Sequence, residues 1–434
     1  MNHSLLYKEF TFLKSWTAIR KCGKVSCVKG PIVQASGLEG FIGEHCKIIN
    51  KFSQEIHAQI IGFENNKALL IPFCETYYIH PEAEVIPSQS PIPKPDINFL
   101  LGRVIDAFGN PLDKGPPIPK QTSYYFKSKS RNCEKTPVKE IFPTGIKLID
   151  SFLTLGKGQR IAIFSEPGQG KTSLLSSIAN NSEADIYVTA LVGERSREIS
   201  EFLNDLTISS KRLRTVAVVA SSSEPAATKI LAANTAMEIA EHFCQQGLNV
   251  LFTMDSLSRY GAALQEVGLA LGEAPSQHHY PASVFYQTAK FIERSGNSNK
   301  GSITALYSVL CYQNIPDVFV DYAKSLLDGH IVLSSYETSL ASFPRINLLE
   351  SLSRSFPLLA TKNQQAKTQT ILTLLKVYKE NLDIIQLGAY TPGTNQDLDQ
   401  ALKLVPALKQ FITQNKSQPI PYEVVIQNLM DLHW

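Results

Sequence analysis

The chain has almost no surplus of one charge. Its 434 residues carry 42 lysines and arginines against 39 aspartates and glutamates, a formal net charge of +3. That is too little for a protein whose main work is to neutralise phosphate backbones. Long apolar runs are missing as well: no stretch approaches the roughly 18–20 residues that span a bilayer. The opening residues MNHSLLYKEF have neither the basic flank nor the apolar core of a signal peptide. Cysteine is sparse and unpatterned, at Cys22, Cys27, Cys46, Cys74, Cys133, Cys244 and Cys311. The single C-x4-C spacing, Cys22 to Cys27, has no second cysteine or histidine pair at ligand spacing. Reduced thiols are therefore expected, not a zinc site. No repeat of about 20–50 residues and no low-complexity tract is present. These absences leave a cytoplasmic globular protein, and 43% apolar and 19% charged residues fit that class. The length allows two or three domains with sizeable cores.

Three regions are legible along the chain. From about Gly23 to Val85, short apolar stretches (PIVQA, CKIIN, AQIIGF, ALLIPF) are punctuated every eight to twelve residues by Gly, Asn and Pro. This pattern predicts a small β-barrel or sandwich. The proline-rich segment Ile86–Asp96 follows as an extended, non-helical linker. From about Arg160 the apolar runs RIAIF, IYVTALV, TVAVVA, NVLFTM, SITALYSVL and HIVLSS alternate with amphipathic segments. Of these Ala226–Gln246 is the clearest helix, with Ile230, Ala233, Met237, Ala240 and Cys244 on one face and Gly247 at its C-terminal stop. Continuous apolar strands between helices predict a parallel sheet covered on both faces. After about Phe356 the chain turns helical. In Asp397–Thr413, Leu398, Ala401, Leu402, Val405, Leu408 and Ile412 keep helical spacing, with a kink expected at Pro406.

The stretch FSEPGQGKT, Phe164–Thr172, has the form of a phosphate-binding loop except that Ser165 stands where the pattern G-x-x-x-x-G-K-[ST] asks for glycine. A strand precedes it and a helix-forming run follows, as a phosphate cradle requires. Gly168 and Gly170 let backbone N–H groups turn inward. Lys171 would reach the β- and γ-phosphates and Thr172 would ligate Mg²⁺. The helix N-terminus adds positive potential, and a small residue at 165 is tolerable at a strand end. Two further elements fit this reading. Asn249–Asp255 is an apolar strand ending in an acid, which makes Asp255 a magnesium-shell carboxylate. Glu194, after IYVTALV, lies at a strand's carboxyl end, where it can align a water facing the γ-phosphate; the alternative is a solvated carboxylate in the charged run GERSRE.

Taken together, TGIKLIDSFLTLGKGQRIAIFSEPGQGKT at 144–172, LVGERSREISEFL at 191–203, MDSLSRYGAALQEVGLALGEAPSQHHYPASVF and SLLDGHIVLS resemble the flagellar and type III secretion export ATPases, relatives of the rotary ATP synthase subunits. The similarity runs from GKVSCVKGPIV at 23–33 to IIQLGAYTPGTNQDLDQAL at 384–402. It implies an α/β, RecA-like P-loop NTPase core with a parallel sheet, preceded by a small N-terminal β-barrel and followed by a C-terminal helical domain. The implied divisions are a partner-docking segment at 1–20, the barrel at 21–90, the ATPase domain at 91–355 and the helical domain at 356–434. The implied nucleotide-binding set is Ser165, Glu166, Pro167, Gly168, Gln169, Gly170, Lys171, Thr172, Ser173 and Phe343, the last packing on adenine. Glu194, Lys171 and Arg195 would be catalytic. Arg354, in ESLSR, would be an arginine finger inserted into the neighbouring subunit's pocket, and Thr172 and Asp255 would hold Mg²⁺.

The resemblance also implies ATP as substrate, a homohexameric ring, and export of unfolded proteins through a membrane-embedded apparatus with which the chain associates from the cytoplasm. Export chaperones with their cargo would engage the C-terminal domain. A central stalk and export-gate components complete the implied partners, and a stator-like regulator would dock on residues 1–20, around Leu5, Leu6, Phe10, Phe12 and Leu13. A rotary proton-coupled synthase subunit and a non-catalytic ring subunit share the fold as alternatives. So does an RNA translocase, but residues 23–85 lack a basic, aromatic surface and the basic run 127–135 lies outside them. The pattern is departed from at NIPDVFVDYAKS, where Lys324 replaces an arginine, at SQHHYP, and at FPRIN in place of YPAID. These changes are expected at subunit contacts and the edge of the site, away from the phosphates.

Overall fold

The computed structural model describes residues 22–88, 92–121, 136–276, 279–312, 315–334, 343–416 and 418–434. The proposed docking segment 1–20 and the basic run 127–135 lie outside these residues.

Period-two alternation closes the N-terminal strands into an antiparallel barrel, not a sandwich. Around it run Gly23–Lys29, Ile32–Ser36, Lys67–Pro72, Glu55–Glu64, His45–Ile49 and Glu84–Pro87. Inward residues such as Val33, Ile48, Ile60 and Leu70 are fully buried and fill the lumen. The hairpin between Glu64 and Lys67 turns on Asn65 and Asn66, both with positive φ, the residue type a two-residue turn demands. The described parts of the linker are extended, with Lys94–Pro95 pairing with Lys120–Gln121.

Beyond the linker lies a sheet of nine strands among the described residues. Its order is Leu352–Ser353, Gly329–Val332, Arg160–Ser165, Ser302–Leu310, Asn249–Asp255, Ile186–Glu194, Thr215–Ser221 and Val104–Asp106, with Gly296–Asn297 beside Ser302–Leu310. Every apolar run read as a strand is one. The sheet is mostly parallel, but Leu352–Ser353 and Gly296–Asn297 pair antiparallel. Val104–Asp106, at the far edge, is too short for its residues to show a pattern. Along Arg160–Ser165 the side chains alternate between two cores. Ala162 and Phe164 pack under Ala226–Gln245, Leu257–Ala270 and Ala282–Ile292. Ile161 and Ile163 pack against Lys147–Phe152, Lys171–Asn181 and the C-terminal helices. Burial on both faces is why these strands read as continuous apolar runs.

Helix Ala226–Gln245 buries the expected face, with Ile230 at its margin, and Gly247 follows at φ 91°. The C-terminal region is helical at Lys362–Glu380, Leu382–Gln386, Gln396–Ile412 and Tyr422–Met430. Gln396–Ile412 runs as one helix through Pro406. Its buried stripe is Leu398, Ala401, Leu404, Leu408, Phe411 and Ile412. The expected Leu402 and Val405 flank that stripe, because the helix packs on both Lys147–Phe152 and Lys362–Glu380 and the contact turns toward Leu404. None of the described helices is long and apolar enough to cross a membrane. No disulfide joins any of the described cysteines.

Candidate active site

Four parallel strands, Arg160–Ser165, Ser302–Leu310, Asn249–Asp255 and Ile186–Glu194, end side by side, and the polar residues gather at their carboxyl ends. The chain leaves Arg160–Ser165 through the loop and enters helix Lys171–Asn181. Gly170 is the N-cap at φ 92°, a conformation that excludes a side chain at little cost only for glycine. No side chain caps this helix, so its first-turn N–H groups are left for a ligand. The loop holds itself in shape: the Glu166 amide donates to Gln169 Oε1 at 2.9 Å and Gln169 Nε2 donates to Glu166 Oε2 at 3.1 Å. Ser165 is buried in the sheet, its carbonyl accepting from the Cys311 amide at 3.0 Å. Its side chain is buried too, and Oγ makes no hydrogen bond to any described residue.

Lys171 Nζ lies 2.6 Å from Asp255 Oδ1 and 3.2 Å from Glu194 Oε1. Burial alone would push this lysine down, but the two carboxylates hold its ammonium above the usual lysine value. Thr172 Oγ1 donates to Asp255 Oδ2 at 3.1 Å, and Ser308 Oγ donates to Asp255 Oδ1 at 2.7 Å. A threonine hydroxyl beside a carboxylate is a hard-oxygen pair, which suits Mg²⁺, a cation that takes few protein ligands and fills its shell with water and phosphate.

Glu194 reaches this cluster through a bulge. The register of Ile186–Glu194 against Thr215–Ser221 shifts between Val192 and Glu194, and Gly193 sits there at φ 73°. A bulge re-aims the side chain that follows it, and Glu194 comes to rest buried, 6% exposed, on Lys171. A β-carbon on Gly193 would stand 2.8 Å from Arg259 Cβ.

A cleft of about 490 Å³ opens here. It is lined by Glu166, Pro167, Gly168, Gly170, Lys171, Thr172, Ser173, Glu194 and Arg195 from the expected set. Asp255 lies beneath Lys171 and Thr172, and Gln169 is turned into the loop. Arg259 and Tyr312 also line the cleft and were not singled out from the sequence; Arg259 follows the end of strand Asn249–Asp255 by four residues, and that position was its only signal. A second cleft of about 460 Å³, between barrel and sheet, carries Glu75, Glu224 and Glu266, a charge that repels phosphate. Phe343 is half-buried outside the first cleft, with Lys416 Nζ 5.6 Å from its ring centre. Arg354 is exposed at the opposite end of the sheet.

Comparison with known proteins agrees with this architecture region by region. Residues 25–89 match the ATP synthase alpha/beta family β-barrel domain, 145–353 its nucleotide-binding domain, and 360–431 the T3SS EscN ATPase C-terminal domain. The chain is 38% identical over 418 residues to the flagellum-specific ATP synthase of Bacillus subtilis, covering 95% of each. It is 37% identical over 410 residues to the SPI-2 type 3 secretion system ATPase of Salmonella typhimurium, covering 94% of each. The assembled ATPase EscN from the enteropathogenic E. coli type III secretion system superposes with a TM-score of 0.87 at 35% identity, over 94% of this chain and 99% of that one. EscN in complex with its central stalk EscO superposes at 0.82.

Proposed function

As a member of the flagellar and type III secretion ATPases, within the ATP synthase alpha/beta family, the chain is an ATPase of protein export, and we propose that it works as a ring of identical subunits whose active sites are shared between neighbours. In this reading Lys171 leaves its carboxylate partners for the β- and γ-phosphates, and the first-turn N–H groups cradle the phosphate tail. Glu194, freed on the same side, aligns the attacking water for in-line displacement. Thr172 and Asp255 would hold Mg²⁺, which would neutralise charge on the phosphates. Arg195 and Arg259 line the cleft wall as further positive charge, and Phe343 offers an aromatic face for adenine. Arg354 of the adjoining protomer spreads charge at the γ-phosphate as the reaction proceeds.

The observation that carries the shared site is the cluster of Lys171, Asp255 and Glu194 with Arg354 exposed at the other end of the sheet; Leu352 and Leu358, two residues before and four after it in sequence, are 51% and 77% exposed. Exposed leucines flanking an exposed arginine in sequence support a surface for a neighbouring subunit. A non-catalytic role is disfavoured by Glu194, seated on the loop lysine where water activation needs a carboxylate.

EscN is found both assembled and with a central stalk, which supports a ring threaded by a stalk partner for this chain too. Chaperone–cargo complexes are assigned to the C-terminal helical domain, where Ile384 and Leu387 are 45% and 81% exposed. A stator-like regulator is assigned to residues 1–20, with the whole assembly at the cytoplasmic side of the export apparatus. The test is ATP turnover per protomer against protein concentration. Specific activity rises as the ring assembles; activity independent of concentration down to the monomer sinks the shared site.

A further inference from the structure

We propose that Arg345 is a further in-cis cation of the nucleotide site, beyond Lys171, Arg195 and Arg259, and binds the phosphate tail at Gly170. A β-carbon on Gly170 would stand 3.2 Å from Arg345 Nη2, so the guanidinium reaches the last loop glycine before helix Lys171–Asn181. Arg345 is two residues from Phe343, which ties the phosphate side of the site to its base side.

Three observations converge on this assignment, which rests on the nucleotide-binding reading above. Arg345 is half-buried, yet its side chain makes no hydrogen bond or ion pair with any described residue. Other half-buried arginines here do: Arg103 is fixed by Asp113 at 2.7 Å and Arg294 by Glu241 at 2.8 Å. An arginine stays charged at any ordinary pH, so partial burial without a counter-charge is a cost that an anion would offset. The second is charge balance. Lys171 is already matched by Asp255 and Glu194, one cation against two carboxylates. The loop by itself is therefore a poor trap for a multiply charged phosphate tail, and a cation at its rim restores the attraction. The third is the departure FPRIN from YPAID, which puts Arg345 where the pattern has alanine and Asn347 where it has aspartate. Both changes move local charge in the positive direction. That departure thus reaches the phosphates and is not confined to the edge of the site.

An arginine placed this way acts on bound nucleotide and on the transition state alike, so its contribution belongs to binding. The test is displacement of a fluorescent ADP analogue by ADP, pyrophosphate and adenosine from wild type, Arg345→Ala and Arg345→Gln; the glutamine keeps bulk and loses charge. Both variants are expected to bind ADP and pyrophosphate about tenfold more weakly, roughly 1.4 kcal/mol, with adenosine unchanged and the wild-type advantage shrinking as salt is raised. Circular dichroism melts confirm that each variant is folded. Unchanged ADP affinity in Arg345→Gln overturns the proposal. So does an equal loss for adenosine and ADP, which would place Arg345 on the base. A wild-type protein that binds neither ADP nor pyrophosphate overturns the nucleotide site itself, a distinct outcome.

Discussion

The amide of Arg354 donates to the carbonyl of Asp328 at 2.9 Å, and the amide of Asp328 donates to the carbonyl of Arg160 at 2.9 Å. These two bonds fix Arg354 beside the first residue of Arg160–Ser165, while the phosphate loop leaves from the last. A strand of this length spans about 17 Å, more than an arginine side chain covers. Arg354 is therefore held away from the pocket of its own protomer.

Complementation should follow from that separation. Arg354→Ala keeps its own loop and lacks the proposed finger; Lys171→Ala keeps that finger and lacks the loop lysine. Each alone should lose about 10³-fold in turnover, the scale of an arginine finger. Mixed rings contain some interfaces with both parts intact, so a mixture of the two should recover activity well above the sum of its components. A mixture no better than that sum would place Arg354 outside the reaction.

Gly193→Ala tests how Glu194 is aimed. The new methyl meets Arg259 Cβ at 2.8 Å, at a φ of 73° that alanine adopts only under strain. The bulge must shift and carry Glu194 with it. A misplacement of this kind is expected to lower kcat about 100-fold while ADP affinity stays near wild type, since the loop is untouched. Steady-state turnover paired with ADP titration separates the two, and an unaltered kcat would show that the bulge does not position Glu194.

Acid should loosen the junction between barrel and sheet. His45 Nε2 and His57 Nδ1 lie 2.9 Å apart, Ser88 Oγ lies 3.0 Å from His45 Nδ1, and the His57 ring packs 6.2 Å from Phe108. Burial, then His57 and Lys47, push His45 from 6.5 down to about 4. His57 is lowered too, by burial and then Lys47, with Glu55 opposing. The unfolded chain therefore binds more protons than the folded one between those values. The stability is complete above about pH 6.5 and is lost as pH falls toward about 4. Melting temperature should drop through that window and His45→Gln should flatten the drop; a wild-type profile that does not fall would refute it.

The C-terminal helix offers a packing test. Leu404 is fully buried and Leu402 is not, so Leu404→Ala should cost about 2–5 kcal/mol by opening a cavity. Leu402→Ala should cost about 1 kcal/mol. Denaturant unfolding of both variants decides, and equal losses would mean that the stripe is centred elsewhere.

Much of the molecule could be read from short-range chemistry. Residues 160–172 carry strand, glycine turn, Lys-Thr and helix within one local stretch. Asn249–Asp255 and Ile186–Glu194 announce themselves by apolar runs ending in acids, and the Asn65–Asn66 turn by its residue types. The helical stripe of Gln396–Ile412 was legible only to within one position, because period alone does not say which neighbour the helix leans on.

By itself, the sequence determined the local elements and the residue types suited to binding phosphate, since backbone period, turn conformation and side-chain chemistry act over a few residues. Only the tertiary structure decided that Asp255 and Glu194 converge on Lys171, that Arg345 meets Gly170, and that Arg354 lies at the far end of the sheet. Those relations depend on strand order. The strand holding Ser308 and the strand ending at Asp255 are inserted between Arg160–Ser165 and Ile186–Glu194, and such an order is set by burying both faces of the sheet at once, a condition on the whole chain.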